Sequence, residues 1–170
     1  MSLFILAQCF GVLALVSWIF SVLQTKRFKI LKFQNFANMF YATQYILLGA
    51  YPAACMNLIS MLRGIMFNSF DKKKQEISFK ILILFLLVII AIGFATFQNI
   101  YSLIPIIITS LYSYSVWQKN LTVFRIIFVI AASGWFIYNF LVGAYVSLIG
   151  NGLELIFGIS AIIKLDFMKK

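Results

Sequence analysis

The sequence contains no histidine and very few acidic residues. Its 170 residues include four Asp and Glu, two Pro and two Cys. The absence of histidine removes the commonest general base and metal ligand. Cys9 and Cys55 lie in apolar runs without a paired spacing, so neither a disulfide framework nor a zinc site is predicted. With no phosphate-binding glycine loop and no acid–base cluster, the sequence predicts no enzyme, no metal site and no cofactor.

Charge is also scarce. Charged residues make up 11% of the chain and apolar residues 64%, against usual shares of about 25% and about 45–50% in soluble proteins. So few polar groups do not cover the surface of a soluble domain of this size. A water-soluble globule is therefore excluded, and with it most soluble-enzyme classes.

The net charge of +10 comes from basic residues at the ends of apolar runs. Binding to nucleic acid needs a basic patch on a folded polar surface, which this distribution does not offer. Basic residues that flank apolar runs are typical of integral membrane proteins. The predicted partner is therefore membrane lipid and not nucleic acid.

Seven apolar runs approach the roughly 20 residues needed to cross a bilayer. The first has no Lys or Arg before it and no small-residue cleavage site, so it is predicted to be a retained helix. The second carries Lys29, Lys32 and several amides, and its alternative interpretation is an interfacial or soluble stretch. The runs are 3–23, 29–49, 51–69, 79–97, 101–118, 121–141 and 143–164.

The distribution of Lys and Arg favours seven spans over six. With seven, all 14 basic residues lie within or next to the connections on one side of the membrane, which are 24–28, 70–78, 119–120 and the C-terminus. Without the second span, Lys26–Lys32 would lie opposite Lys72–Lys74. The positive-inside rule then predicts an outside N-terminus and a cytoplasmic C-terminus.

An internal repeat is predicted with an offset of 94 residues. At this shift, residues 21–65 align with 115–159 without a gap, and Gly49-Ala-Tyr51 coincides with Gly143-Ala-Tyr145. Asn57 likewise coincides with Asn151. The alternative is a coincidence of apolar composition, but the Gly-Ala-Tyr turn and the Asn are rare enough to favour duplication.

The repeat predicts the architecture. Three helices, a linker helix and three more helices give two three-helix bundles in the same orientation, related by an axis along the membrane normal. The predicted fold is therefore an all-α integral membrane protein of seven transmembrane helices. Its parts are 1–69 as the first bundle, 70–97 as a cytoplasmic loop and the linker helix, and 98–170 as the second bundle.

This plan resembles that of the SWEET sugar transporters, the PQ-loop proteins and their half-size bacterial relatives. The segments Gln44–Tyr51, Met56–Ser60 and Trp135–Tyr145 are similar to the YgjV family of the bacterial inner membrane. The chain lacks a PQ dipeptide, and of the helix-kinking prolines of SWEET proteins it has only Pro105. SWEET-type gating does not follow from the resemblance.

Polar residues within the runs are the candidate binding residues, because lipid offers them no hydrogen bonds. Asn57 and Asn151 each lie roughly 10 Å below the outer boundary, and the repeat axis is predicted to bring them face to face. Tyr41 and Trp135 are a second repeat pair, and the SWEET resemblance implies that they stack on a bound sugar. For the asparagines the alternative is helix–helix hydrogen bonding. For the aromatic pair it is ordinary packing, or interfacial anchoring in the case of a tyrosine.

Glu154 and a stripe on the second run complete the predicted site. Glu154 follows Asn151 by three residues, on the same helix face, and low dielectric disfavours a charged carboxylate, so it is a candidate proton-coupling group. The alternative for Glu154 is a static ion pair with Arg63. For Arg63 itself, a second alternative is that its side chain extends to the cytoplasmic face. Spacings of four, three and four put a polar stripe on one face of the second run: Gln34, Asn38, Tyr41 and Tyr45.

The predicted function is a transporter or facilitator of a small polar solute, sugar-like or similar, in the bacterial inner membrane. Two bundles would alternate access to a central site formed by Asn38, Tyr41, Asn57, Trp135, Asn151 and Glu154. The alternatives are a membrane receptor or assembly protein that does not transport, and a channel, which would need a continuous polar lining. A homo-oligomer is a possible assembly in each case.

Overall fold

The described part of the chain folds into seven α-helices and contains no strand. The computed structural model describes residues 2–24, 27–73, 75–118 and 120–164. The helices are α1 (Leu3–Val22), α2 (Arg27–Leu47), α3 (Tyr51–Lys72), α4 (Phe79–Ala95), α5 (Leu103–Trp117, preceded by a 3-10 turn at Ile100–Ser102), α6 (Leu121–Val142) and α7 (Tyr145–Ile162). The predicted all-helical class is confirmed, and each helix coincides with one predicted apolar run.

Four segments of the described chain are long and apolar enough to cross a membrane. They are Leu3–Ser21, Ile100–Trp117, Leu121–Val142 and Tyr145–Ile162. The α4 helix is apolar but has 17 residues. The α2 and α3 helices are long enough, but polar and charged residues lower their hydropathy.

The helices α2 and α3 turn apolar side chains outwards and polar ones inwards. Met39 on α2 and Leu62 on α3 are 41% and 57% exposed, whereas Gln44 and Asn57 are 0% and 8% exposed. This is the reverse of a soluble protein, in which exposed faces are polar. It is the arrangement expected where the surrounding solvent is hydrocarbon.

Helix packing divides the bundle into two similar groups. We call α1–α3 the first half and α5–α7 the second half. Within each half the middle helix contacts both others, and between the halves α1 contacts α7 while α3 contacts α5. Exchanging the halves leaves this set of contacts unchanged, and α4 lies beside α3 and α5.

The halves share the same turn between their second and third helices. Gly49 and Gly143 have φ angles of 72° and 73°. In both turns the N–H after the glycine donates to the carbonyl five residues earlier, at 2.8 and 2.9 Å. This left-handed helix end favours glycine, which has no Cβ to clash. We call this end of the molecule the glycine-turn end.

The opposite end, where α2 and α6 begin and α3 ends, is called the basic end. Lys29, Lys73, Lys80 and Lys164 lie on it or within the adjoining turn of helix. Five further basic residues of the predicted charge asymmetry lie outside the described residues: Lys26, Lys74, Lys119, Lys169 and Lys170. The predicted cytoplasmic C-terminus, within 165–170, also lies outside them.

Replacing either turn glycine with alanine is expected to cost about 1–2 kcal/mol, the strain of a left-handed alanine. A Cβ at Gly49 would meet nothing within 4 Å, and one at Gly143 only the Phe4 ring at 3.7 Å, so packing adds nothing to this loss. Thermal unfolding of the purified protein in detergent measures it. Gly49→Asn is the control, because asparagine tolerates this conformation better; equal losses for alanine and asparagine would contradict the explanation.

Candidate binding cavity between the two halves

A cavity of about 260 Å³ lies between the two halves. Helices α1, α2, α3, α5, α6 and α7 all contribute side chains to its wall. The six residues predicted as a site all line it: Asn38, Tyr41, Asn57, Trp135, Asn151 and Glu154. Residues from four helices are thereby brought to one space.

The polar residues of α2 explain its low hydropathy. Gln34, Asn38, Tyr41 and Tyr45, the stripe identified by its spacing, all line the cavity. A polar residue at membrane depth is tolerated where it faces a cavity and not lipid. Several of the polar residues that lower the hydropathy of α2 therefore form the cavity wall, whereas Lys29 and Lys32, which also lower it, do not line the cavity.

A chain of hydrogen bonds joins the two halves and ends on the carboxylate. The Tyr45 hydroxyl donates to Asn139 Oδ1 at 2.7 Å, and Asn139 Nδ2 donates to Asn151 Oδ1 at 2.6 Å. Asn151 Nδ2 then donates to Glu154 Oε2 at 2.9 Å. Tyr45 and Asn139 are 3% and 1% exposed, so the bond between them is shielded from competing solvent, while the other two bonds are partly buried.

The two predicted asparagines are not joined to each other. Asn57 Nδ2 donates to the Ala53 carbonyl of its own helix at 2.9 Å, whereas Asn151 bonds Asn139 and Glu154. Both line the cavity, but in the described structure no hydrogen bond links them. A hydrogen bond does join Tyr45 and Asn139, which are 94 residues apart, the offset of the predicted repeat.

The aromatic pair forms part of the cavity wall towards the glycine-turn end. The Trp135 ring lies nearly parallel to Tyr45, with centroids 5.9 Å apart and planes at 21°, and edge-on to Tyr138 at 5.9 Å. One face of Trp135 is thus covered by Tyr45. The Tyr41 hydroxyl lies near Gly150, whose missing Cβ would be 3.5 Å from it.

Arg63 lies inside the bundle and not at its surface. It is 6% exposed, its Nη1 donates to Ser113 Oγ at 2.6 Å, and its guanidinium lies 5.2 Å from the Tyr112 ring centre. It also lines the cavity. Neither sequence-based interpretation of Arg63 is correct: it forms no ion pair with Glu154 among the described residues, and it does not reach the surface.

Polar contacts between the halves close the glycine-turn end. Gln8 Nε2 on α1 donates to the Gly143 carbonyl at 2.8 Å, and Gln98 Nε2 before α5 donates to the Gly49 carbonyl at 2.9 Å. Each glutamine thus binds the turn of the opposite half. Beneath them lies a buried cluster from both halves: Tyr45, Ala50, Ala53, Ala54, Tyr138 and Ala144.

A third glutamine contact links the halves deeper in the bundle. Gln44 is fully buried, and its Oε1 accepts from Ser147 Oγ at 2.5 Å. Gly11 leaves the room for this side chain, since a Cβ there would lie 2.6 Å from Gln44 Nε2.

At the other end, the cavity wall continues to Gln34, Asn68 and Val116 near the basic end.

Sequence reasoning did not select several residues of the cavity. Asn139 had a usable signal, because it lies 94 residues after Tyr45 of the predicted stripe, and residues at equivalent positions of a repeat meet where they lie near its axis. Tyr112 and the inward position of Arg63, which bonds Ser113 outside the cavity wall, had no such signal, because contacts between α3 and α5 depend on helix packing.

A helical bundle with an apolar exterior, buried polar side chains and a cavity between two halves defines an integral membrane protein with an internal polar site. The chain belongs to the YgjV family, whose model describes a bacterial inner membrane protein and matches residues 5–169. The predicted family is confirmed, and with it the inner-membrane location. Neither a curated protein nor a solved structure matches the chain; the relation to SWEET and PQ-loop proteins stays a prediction.

Proposed function

We propose that this protein is a transporter or facilitator of a small polar solute, sugar-like or similar, that works by alternating access between its two halves. The observation that carries the proposal is a polar cavity between the halves that is sealed at the glycine-turn end and extends towards the basic end. Its volume of about 260 Å³ is slightly below the usual range for ligand pockets of roughly 300–1,000 Å³. A small solute therefore fits best.

Seven membrane crossings, with an outside N-terminus and a cytoplasmic C-terminus, are part of this proposal. Support comes from the apolar outer faces of α2 and α3, and from Leu84 and Leu87 of α4, which are 60% and 59% exposed. At 1.5 Å per residue, α4 spans about 25 Å, close to the hydrocarbon thickness of about 30 Å. By the positive-inside rule the basic end faces the cytoplasm, so a cavity that extends towards this end corresponds to an inward-facing state.

The duplication supports motion of one half against the other. The halves have reciprocal contacts, matching glycine turns and a repeat-related contact at Tyr45 and Asn139. Opening the glycine-turn end requires the bonds of Gln8 and Gln98 to break, together with separation of the cluster beneath them. Rocking about a central site is the motion expected of a repeated carrier.

Uptake of a panel of small sugars, polyols, amino acids and organic acids into proteoliposomes tests transport. We expect at least one class to accumulate faster than in empty liposomes, and the double variant Asn57→Ala/Asn151→Ala to lower that rate, because it removes two amides from the cavity wall. The matched control is Leu58→Ala/Ile149→Ala, on the same helices but 39% and 61% exposed to lipid. If no solute enters and the cavity variant has no effect in cells, the receptor or assembly function is favoured instead.

A further inference from the structure

Two oppositely charged side chains face the cavity without pairing. Among the described residues that line it, Arg63 on α3 and Glu154 on α7 are the only Lys, Arg, Asp or Glu. Arg63 bonds the neutral Ser113, and Glu154 accepts from the neutral Asn151. Buried charges are normally paired with one another, so this separation needs an explanation.

Both groups keep unused hydrogen-bonding capacity. A guanidinium carries five N–H donors, and a carboxylate accepts about four hydrogen bonds. Arg63 uses one donor for Ser113, and Glu154 accepts one bond from Asn151. The remaining donors and acceptors are available to a molecule in the cavity.

The two charges lie on repeat-related helices and at different depths. Ser60 is the α3 residue equivalent to Glu154 in the repeat, and Arg63 lies three residues, about 4.5 Å, further towards the basic end. The aromatic rings of Tyr41 and Trp135 also line the cavity, and such rings attract organic cations.

We propose that the cavity binds a small zwitterion, whose carboxylate pairs with Arg63 and whose ammonium group pairs with Glu154. This inference narrows the solute class of the proposed transporter and rests on the same cavity. A zwitterion neutralises both buried charges at once. A neutral polyol leaves both without a countercharge, and a simple anion or amine leaves one.

Four probes with the same three-carbon chain test this with the purified wild-type protein in detergent: β-alanine, propionate, propylamine and propionamide. Binding is measured by calorimetry and by the shift in melting temperature. We expect β-alanine to bind at least about tenfold more tightly than each of the other three, because each lacks at least one charge-assisted hydrogen bond. Equal binding of propionamide or propionate overturns the proposal.

A second series of ligands varies the distance between the ammonium and the carboxylate. Glycine, β-alanine and γ-aminobutyrate differ only in the number of methylenes between the ammonium and the carboxylate. A fixed Arg63–Glu154 separation predicts that affinity passes through one preferred length. Failure of all three zwitterions to bind overturns the proposal.

Two variants assign the charges. Arg63→Gln is expected to abolish the preference for β-alanine over propylamine, and Glu154→Gln the preference over propionate. If either preference survives in its folded variant, the assignment is wrong. The wild-type panel decides the question of solute class even where a variant does not fold.

The outcomes separate this inference from transport itself. Selective binding of β-alanine with no uptake into proteoliposomes overturns the transport proposal and leaves the zwitterion site standing. Uptake of a neutral sugar that no zwitterion inhibits supports the transport proposal and overturns the zwitterion site.

Discussion

Replacing Asn139 with leucine is expected to lower the free energy of unfolding by about 2 kcal/mol. The change removes two hydrogen bonds at once and leaves the buried Tyr45 hydroxyl and the partly buried Asn151 Oδ1 without their partner. A buried polar group without a partner costs about 1–3 kcal/mol, although hydrogen bonds between membrane helices average nearer 0.6 kcal/mol. Reversible denaturation in mixed micelles measures the loss.

Tyr45→Phe is the matched control for Asn139→Leu, since it removes the first bond of the chain and keeps the ring that packs on Trp135. We expect it to cost less. The double variant Tyr45→Phe/Asn139→Leu is expected to cost less than the sum of the single changes, because it leaves no orphaned hydroxyl. Strictly additive losses would show that the two side chains are not coupled.

A tryptophan at Ser60 is expected to reduce uptake to the level of empty liposomes. Ser60 is half-buried and lines the cavity on α3, so an indole there fills space that the solute needs. The control is Leu62→Trp on the same helix, where the side chain is 57% exposed to lipid and the cavity is untouched.

Uptake is compared at equal amounts of reconstituted protein, with melting temperatures recorded for both tryptophan variants. The Leu62 variant is expected to transport as the wild type does. Normal uptake by a folded Ser60→Trp protein would place the solute pathway elsewhere.

The sequence predicted which residues line the cavity better than it predicted the hydrogen bonds between them. The stripe on α2 was predicted from spacing alone, and Gln34, Asn38 and Tyr41 do share one face towards the cavity. This succeeded because helical periodicity is a local property. The prediction failed for Arg63, because its partners Ser113 and Tyr112 lie on α5. The sequence does not show how α5 packs against α3.

The hydrogen-bond partners of Asn57 and Asn151 were likewise not predictable from the sequence. Asn57 and Asn151 both line the cavity, but the predicted repeat gave no means of knowing which group each amide would bond. Side-chain choice among several nearby partners depends on distances of a few ångströms. An offset of 94 residues fixes equivalence between positions and not those distances.

The sequence by itself determined the helices, the apolar surface, the family and the face of α2 that carries polar groups, because length, composition and periodicity act within one segment. Only the tertiary structure decided that Tyr45 meets Asn139, that Arg63 and Glu154 remain apart, and that one end of the cavity is closed. These features depend on how helices distant in the chain pack against each other. A single helix allows several partners for each of its side chains, and the packing of the helices decides which partner is met.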